Sequence, residues 1–164
     1  MAPKTDYKRT HAARRDQPGL AFAVGGRMKD TDAAWAAGFL DGEATFTARV
    51  TESGTFHVTV LVSQVMPAPL LKLKELFGGN IHHRPAHGNN GRPFHVWALK
   101  GPIVLRAMLI AILPYLVLKD KHAQMLLEAC DLMGVNGRMV TTDVLRDRIE
   151  ISERFREANK RGAA

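Results

Sequence analysis

The hydrophobic and polar positions of this 164-residue chain change their period several times, and each change predicts a new element. Either Thr31 or Asp32 can cap a helix whose apolar residues continue through Leu40. From Ala44 the period becomes two, and two alternating runs over 44–51 and 56–63 flank the turn sequence ESG. This pattern predicts a helix followed by a β-hairpin that has one apolar face and one polar face.

The remaining pattern predicts a second helix, a second pair of strands and three further helices. The segment PAPLLKLKELFGG has proline at its start and glycine at its end, as helices do. NIHHR and FHVWAL read as short strands, and helices are expected over about 102–112, 119–133 and 142–159. In the last helix we expect the apolar side chains to face inward, namely Val144, Leu145, Ile149 and Phe155.

This order predicts an α+β fold, α-β-β-α-β-β-α, with further helices at the C-terminal end. A single antiparallel sheet would bury one face against the helices and leave the other open. We interpret residues 1–29 as a flexible basic arm and 30–164 as one domain, with a helical extension over about 135–164.

The charge of the chain narrows the choice of partner. Lys and Arg number 23 against 16 Asp and Glu, which gives a net charge of +7 and a pI near 9.9. Such a surplus favours polyanions, nucleic acid before an anionic membrane. The longest apolar run, 103–118, is interrupted by Arg106 and Pro114, and the first residues lack an apolar signal segment. We therefore expect a soluble intracellular protein with no membrane partner and no small-molecule cofactor, in a bacterial or phage-infected cytoplasm or an organelle.

The single cysteine, Cys130, excludes an internal disulfide and a cysteine-based zinc site. It falls on a predicted helix, so we expect a buried, inert thiol. The histidines at 82, 83, 87 and 95 match no standard zinc-ligand spacing, so a histidine-bound metal is not predicted.

The polar face of the predicted sheet is rich in hydroxyl, imidazole and guanidinium groups, which suits a groove of DNA. The side chains that we predict to contact DNA are Thr45, Thr47, Arg49, Thr51, His57, Thr59, Leu61, His82, Arg84 and His95.

The end of the first helix is unusual because an apolar segment, WAAGFLDGEATF at 35–46, ends in two acids, Asp41 and Glu43. Capping alone explains them poorly, because carboxylates at a helix C-terminus oppose the helix dipole. The segment resembles the signature of the LAGLIDADG homing endonucleases, an apolar helix with an interior glycine that ends in acid-x-acid. Three downstream segments also resemble that family, in the same order: VSQVMPAPLLKLKELFGG, FHVWALKG and LPYLVLKDKHAQMLL.

The resemblance implies the family's saddle-like sheet and a homing endonuclease that hydrolyses both strands of double-stranded DNA at a long pseudo-palindrome. It implies that Glu43 is a ligand of Mg²⁺, with Mn²⁺ as a substitute, and that Gln64 and Lys119 complete the catalytic set. Lys121 is the nearest competitor for the role of the lysine. Aspartate is more frequent in the family at the position of Glu43, but glutamate also provides a carboxylate ligand.

A chain with one copy of this motif needs a second helix from another protomer. Gly38 and Gly42 lie four residues apart on one helical face, where two helices can approach closely. The expected homodimer would pair two such helices on its two-fold axis, through Ala37, Gly38, Asp41 and Gly42. Two alternatives remain open, an RNA maturase and a catalytically silent DNA-binding protein on the same scaffold.

Overall fold

A computed structural model describes residues 28–86, 91–133 and 141–161, and its elements follow the predicted order. The predicted arm therefore lies outside the described residues except for its last two, as do His87 and the start of the C-terminal extension. The helices and strands are α1 (Asp30–Glu43), β1 (Ala44–Val50), β2 (Phe56–Gln64), α2 (Ala68–Phe77), β3 (Asn80–Arg84), β4 (Phe94–Lys100), α3 (Pro102–Ile112), a 3₁₀ turn (Leu113–Tyr115), α4 (Asp120–Leu132) and α5 (Thr142–Arg161).

The four strands form one antiparallel sheet in the order β1-β2-β4-β3. Phe46 is opposite Val60, and Val62 is opposite Trp97, so the apolar positions of successive strands share one face. These side chains are buried against the helices together with Leu40 and Leu126. The predicted α+β class and the one-sided burial of the sheet are confirmed. In the described residues no helix combines the length and the apolar character that crossing a membrane requires.

The glycine pair after α2 allows the largest buried side chain to pack. The Trp97 indole Nε1 donates a hydrogen bond of 2.9 Å to the carbonyl oxygen of Gly78. Gly79 has φ +83°, and a Cβ there would lie 2.7 Å from the carbonyl oxygen of Ala98. Position 79 therefore requires glycine both for its backbone conformation and for its space.

Cys130 is buried on α4, as the sequence predicted. Burial raises the pKa of its thiol to about 11, and nearby Asp131 adds to the effect. The thiol is therefore protonated at neutral pH, which makes it a poor nucleophile.

Helix α5 turns a different face inward from the one that its apolar residues suggested. Leu145 and Ile149 are 36% and 45% exposed, so their predicted inward placement is wrong, whereas Phe155 is buried as predicted. The buried positions are Arg148, Ile151 and Phe155, which recur at helical spacing. A charged residue occupies one of them because it finds carbonyl partners there.

Arg148 docks α5 onto the end of α4. Its Nε and Nη2 atoms donate to the carbonyl oxygen of Leu132 at 2.9 and 2.6 Å, and Nη2 also donates to that of Met133 at 3.2 Å. The guanidinium lies over the Phe56 ring, 5.3 Å from its centroid. A cation at a helix C-terminus is favoured by the helix dipole and satisfies carbonyls that the helix leaves unpaired.

Further along, α5 covers the outer edge of β1. The amide of Val50 donates to Ser152 Oγ at 3.1 Å, and Asn159 Nδ2 donates to the carbonyl oxygen of Phe46 at 3.3 Å. Because β1 is an edge strand, these groups have no neighbouring strand to pair with. The terminal helix therefore both completes the core and protects this edge.

We expect Arg148→Ala to lower the free energy of unfolding by about 2–3 kcal/mol, because buried hydrogen bonds from a charged donor are lost. Urea denaturation measures it. Arg146→Ala is the matched control, since Arg146 is exposed and pairs with exposed Asp143; its effect should stay below about 0.5 kcal/mol. Equal effects of the two substitutions would contradict the docking role of Arg148.

Candidate active site

The two acids at the end of α1 have different environments. Asp41 is only 8% exposed, and its carboxylate accepts hydrogen bonds from three consecutive backbone amides. Oδ2 accepts from Val117 at 2.7 Å, and Oδ1 accepts from Leu118 at 3.2 Å and from Lys119 at 2.9 Å. Asp41 therefore binds the segment that leads into α4 and is not available as a ligand at the surface.

The Lys119 ammonium lies at the C-terminal end of α1. Its Nζ donates to the carbonyl oxygen of Leu40 at 3.2 Å and to that of Asp41. Burial lowers the pKa of Lys119, and the carboxylates of Asp41 and Glu43 offset part of that effect. A cation at this helix end compensates for the acids that the helix dipole disfavours.

Glu43 is exposed, and it is held from the neighbouring strand. Gln64 Nε2 donates to Glu43 Oε2 at 2.8 Å, while Oε1 has no hydrogen-bond donor in the described part of the chain. The structure thus brings Glu43, Gln64 and Lys119 to one end of the sheet, although 76 positions separate the first from the last.

The carboxylate oxygens of Glu43 are suitable ligands for a hard cation, but one protomer could fill only part of the coordination shell of that cation. Within residues 28–86, 91–133 and 141–161, no group of three or more His, Cys, Asp or Glu side chains could hold a metal ion. One protomer offers the Glu43 carboxylate at the surface. Mg²⁺ is often bound by one or two carboxylates together with water and substrate phosphates, so Glu43 fits such a site.

The open face of the sheet is positively charged and polar. The strand register puts Arg49 opposite His57, Thr59 opposite Lys100 and Thr45 opposite Leu61. No Asp or Glu occupies the open-face positions of the four described strands. Sequence reasoning missed three polar side chains on this face, Ser63, Asn80 and Lys100, and three apolar ones on β4, Phe94, Val96 and Ala98. Strict alternation along their strands could have identified all six.

Three of the predicted DNA-contacting residues differ from the rest in placement. His95 is opposite Gln64 and His83, which puts it on the helix-packed face, where its ring meets that of His83 at 5.2 Å. Thr51 lies beyond the end of β1 and bonds within the turn to Thr55. Thr59 is buried between its cross-strand neighbours. The open face therefore contains Thr45, Thr47, Arg49, His57, Thr59, Leu61, His82 and Arg84 but does not contain His95.

The predicted interface on α1 is narrower than the sequence suggested. Gly38 and Gly42 are exposed, and a Cβ at either position would meet nothing within 4 Å. Ala37 is fully buried and faces the core of its own chain, so the protomer exposes no surface of this residue for the predicted interface. Asp41 is buried too and bonds to its own backbone. Only the two glycines of the four predicted residues lie on the open surface of the helix.

Comparison with known proteins yields structural matches alone, since no family model and no curated protein sequence matches the chain. The homing endonuclease I-CvuI, solved in complex with its target in the presence of Ca, matches with a TM-score of 0.65 and 22% identity over 77% of this chain and 80% of that one. The archaeal intron-encoded homing endonuclease I-Vdi141I, complexed with DNA, matches with a TM-score of 0.65 and 16% identity. The match covers 79% of this chain and 85% of I-Vdi141I.

A longer chain, the LAGLIDADG homing endonuclease I-GzeII in complex with its DNA target, matches with a TM-score of 0.59 and 19% identity. The match covers 78% of this chain and 45% of I-GzeII. The chain therefore has the fold of the LAGLIDADG homing endonucleases, which confirms the resemblance seen in the sequence. Identities this low establish the fold, and activity has to be argued from the residues.

His122, one turn after Lys119 on α4, is a half-buried titratable group beside the site. Its ring lies 6.4 Å from that of Phe155, and its buried Nδ1 has no hydrogen-bond partner in the described residues. Burial lowers the pKa of His122, and the Lys119 charge lowers it further, against a smaller opposite effect of Asp120.

We expect His122 to make the fold sensitive to acid. Because its pKa is lower in the folded chain than in the unfolded one, protonation favours the unfolded state, and stability is lost as the pH falls through the ordinary histidine range near 6.5. The urea concentration at the unfolding midpoint should decrease when the pH is lowered from about 7.5 to about 5.5. This decrease should be smaller in His122→Phe. His57→Phe, at an exposed position, should keep the wild-type difference; an unchanged difference in His122→Phe would contradict the expectation.

Proposed function

We propose that the protein is a homodimeric, divalent-metal-dependent endonuclease that cuts both strands of double-stranded DNA at a long pseudo-palindromic site. One observation carries the proposal: the exposed Glu43 carboxylate, bonded by Gln64 and adjacent to Lys119, lies at the end of a basic, acid-free sheet face. This arrangement joins a surface for phosphate and base contacts to a group that can hold a metal at the backbone.

The open face supports DNA as the substrate. Arg49, Arg84 and Lys100 provide charge for phosphates, and the hydroxyl and imidazole groups between them can bond base edges in a major groove. I-CvuI and I-Vdi141I, which have this fold, were solved with DNA. Such a substrate would be met inside a cell, where the protein would act.

Surface features around α1 support a homodimer. The bare stripe at Gly38 and Gly42 allows a second helix to approach closely, and Val117 and Leu118 beside it expose apolar side chains by 79% and 73%. The chain spans most of I-CvuI but less than half of I-GzeII, so a second copy would supply what the longer chain has in its other part. A two-fold dimer would read two similar half-sites.

The site residues have distinct roles in the proposed hydrolysis. Glu43 would hold the cation against the scissile phosphate, and Gln64 fixes the orientation of that carboxylate. Lys119 would stabilise negative charge that develops on the phosphate oxygens. A bound divalent cation supplies Lewis acidity and an activated water. Structures of I-CvuI were obtained with Ca or Mg present, which supports a divalent cation. The proposed cation is Mg²⁺, for which Mn²⁺ would substitute.

The maturase and the silent DNA-binding protein are the alternatives. Both would use the basic face, and neither needs Glu43, Gln64 and Lys119 to converge at one end of it. The convergence of these three side chains favours cleavage.

We expect Glu43→Gln to abolish cleavage without weakening DNA binding. Purified protein would be incubated with a randomised DNA library in Mg²⁺, and cut sites would be sequenced. Wild type should make Mg²⁺-dependent double-strand cuts at one family of near-palindromes, and the variant, which keeps the shape of the side chain but not its charge, should cut at least about 100-fold more slowly.

The control is Glu150→Gln, an exposed acid on α5, which should cut like wild type. Tight DNA binding in Ca²⁺ with no cuts by wild type would overturn the catalytic proposal and favour the silent binder. Preference for a structured RNA over any DNA would favour the maturase.

We expect Gly38→Leu to disrupt the dimer while leaving the protomer folded. A Cβ there would meet nothing within 4 Å, and leucine is a better helix former than glycine, but its side chain would hold two helices apart. Sedimentation analysis should give a dimer for wild type and a monomer, or at least about a tenfold weaker dimer, for the variant. Glu153→Leu on α5 should remain dimeric; a dimer unaffected by Gly38→Leu would place the interface elsewhere.

A further inference from the structure

We propose that Asp41 is a positioning residue that fixes Lys119, so that the ammonium presents a single preorganised N–H to the phosphate. The consequence for cleavage rests on the function proposed above. The geometric part concerns the folded chain without DNA and can be tested separately.

Asp41 holds the backbone of Lys119. Its carboxylate accepts from the amides of Val117, Leu118 and Lys119, with distances between 2.7 and 3.2 Å. The side chains of Val117 and Leu118 project into solvent, so packing does not hold this part of the segment in place. The three hydrogen bonds to one carboxylate therefore determine where α4 begins and where the Lys119 side chain starts.

The backbone at the end of α1 holds the other end of the same lysine. The Lys119 ammonium donates to the carbonyl oxygens of Leu40 and Asp41, and the Leu40 carbonyl also accepts the amide of Ala44. An ammonium group has three N–H donors, so one is left for a substrate oxygen. A lysine side chain is a flexible four-carbon chain, and fixing both its ends removes the cost of ordering it during the reaction.

The pattern of acceptors predicts a graded response to substitution. Oδ1 accepts from both Leu118 and Lys119, whereas Oδ2 accepts from Val117. Asp41→Asn can keep the two Oδ1 bonds, but its amide group would face the Val117 amide and lose that bond. Asp41→Ala loses all three. Lys119→Met removes the ammonium and leaves the carboxylate with its amides.

The first test uses the full chain without DNA. With ¹³C-labelled lysine, a fixed Lys119 side chain should give two distinct Hε shifts, assigned by their absence in Lys119→Met. The separation between the two Hε shifts should become smaller in Asp41→Asn, and the two should merge in Asp41→Ala. Exposed Lys121 should show one averaged shift in all variants. Amide exchange at 117–119 should accelerate at least about tenfold in Asp41→Ala and remain slow in Lys119→Met. A Lys119 signal that is averaged in wild type, or unchanged in Asp41→Ala, would overturn the proposal.

The second test is a double-mutant cycle on single-turnover cleavage. Asp41→Asn should slow cutting by about tenfold or more with DNA affinity in Ca²⁺ unchanged, because a misplaced group loses rate and not binding. If Asp41 acts through Lys119, the variant with both Asp41→Asn and Lys119→Met should cut no more slowly than Lys119→Met. Multiplying effects would show that Asp41 acts independently and would overturn its positioning role.

A matched control and the separation of outcomes complete the design. Asp131→Asn removes an exposed acid from α4 and should change neither the Lys119 signal nor cutting. Should Asp41→Ala fail to fold, Asp41→Asn, which keeps two of the three bonds, decides the spectroscopic test. If wild type cuts no DNA, the proposed function fails, while the Hε shifts still decide whether Asp41 fixes Lys119.

Discussion

The site depends on how the chain accommodates negative charge at the C-terminal end of α1. The carboxylates of Asp41 and Glu43 lie where the helix dipole disfavours negative charge, and the structure stabilises them in two different ways. The Asp41 carboxylate accepts hydrogen bonds from three amides of the segment before α4, and the Lys119 ammonium donates to the last carbonyl oxygens of α1. Glu43 is left exposed with one bond from Gln64. Of the two acids at this helix end, Asp41 therefore has a structural role, whereas the Glu43 carboxylate is accessible at the surface.

The sheet positions this site because its two faces are so different. Alternation puts Phe46, Val60 and Trp97 against the helices and leaves a basic face open, and α1 ends where β1 begins. Helix α5 seals the outer edge of β1 through Ser152 and Asn159, so that the sheet can stay open on one face without offering this edge strand for pairing.

Much of this could be predicted from periodicity, because strands and amphipathic helices reveal their faces in sequence. The order of the elements, the open face from Thr45 to His57 and the convergence of Glu43, Gln64 and Lys119 followed from pattern and resemblance. What failed were decisions that depend on tertiary partners. Arg148 is buried because carbonyl oxygens at the end of α4 accept its hydrogen bonds, and Ala37 faces the core of its own chain although the neighbouring Gly38 is exposed. His95 was predicted to contact DNA, but pairing with Gln64 and His83 puts it on the helix-packed face, and this register depends on the strand partners.

In the proposed dimer, the position of Gly38 and Gly42 beside Glu43 would couple assembly to chemistry. Gly42 precedes Glu43 directly, so the distance between two Glu43 carboxylates in a dimer would be set by how closely the glycine faces of the two helices meet. Added methylenes at the stripe would move both carboxylates apart and so change where each of them could hold a cation. In the proposed dimer the glycines would set the spacing of the acids as well as the contact between helices, since a Cβ at either position would meet nothing within 4 Å in the described protomer.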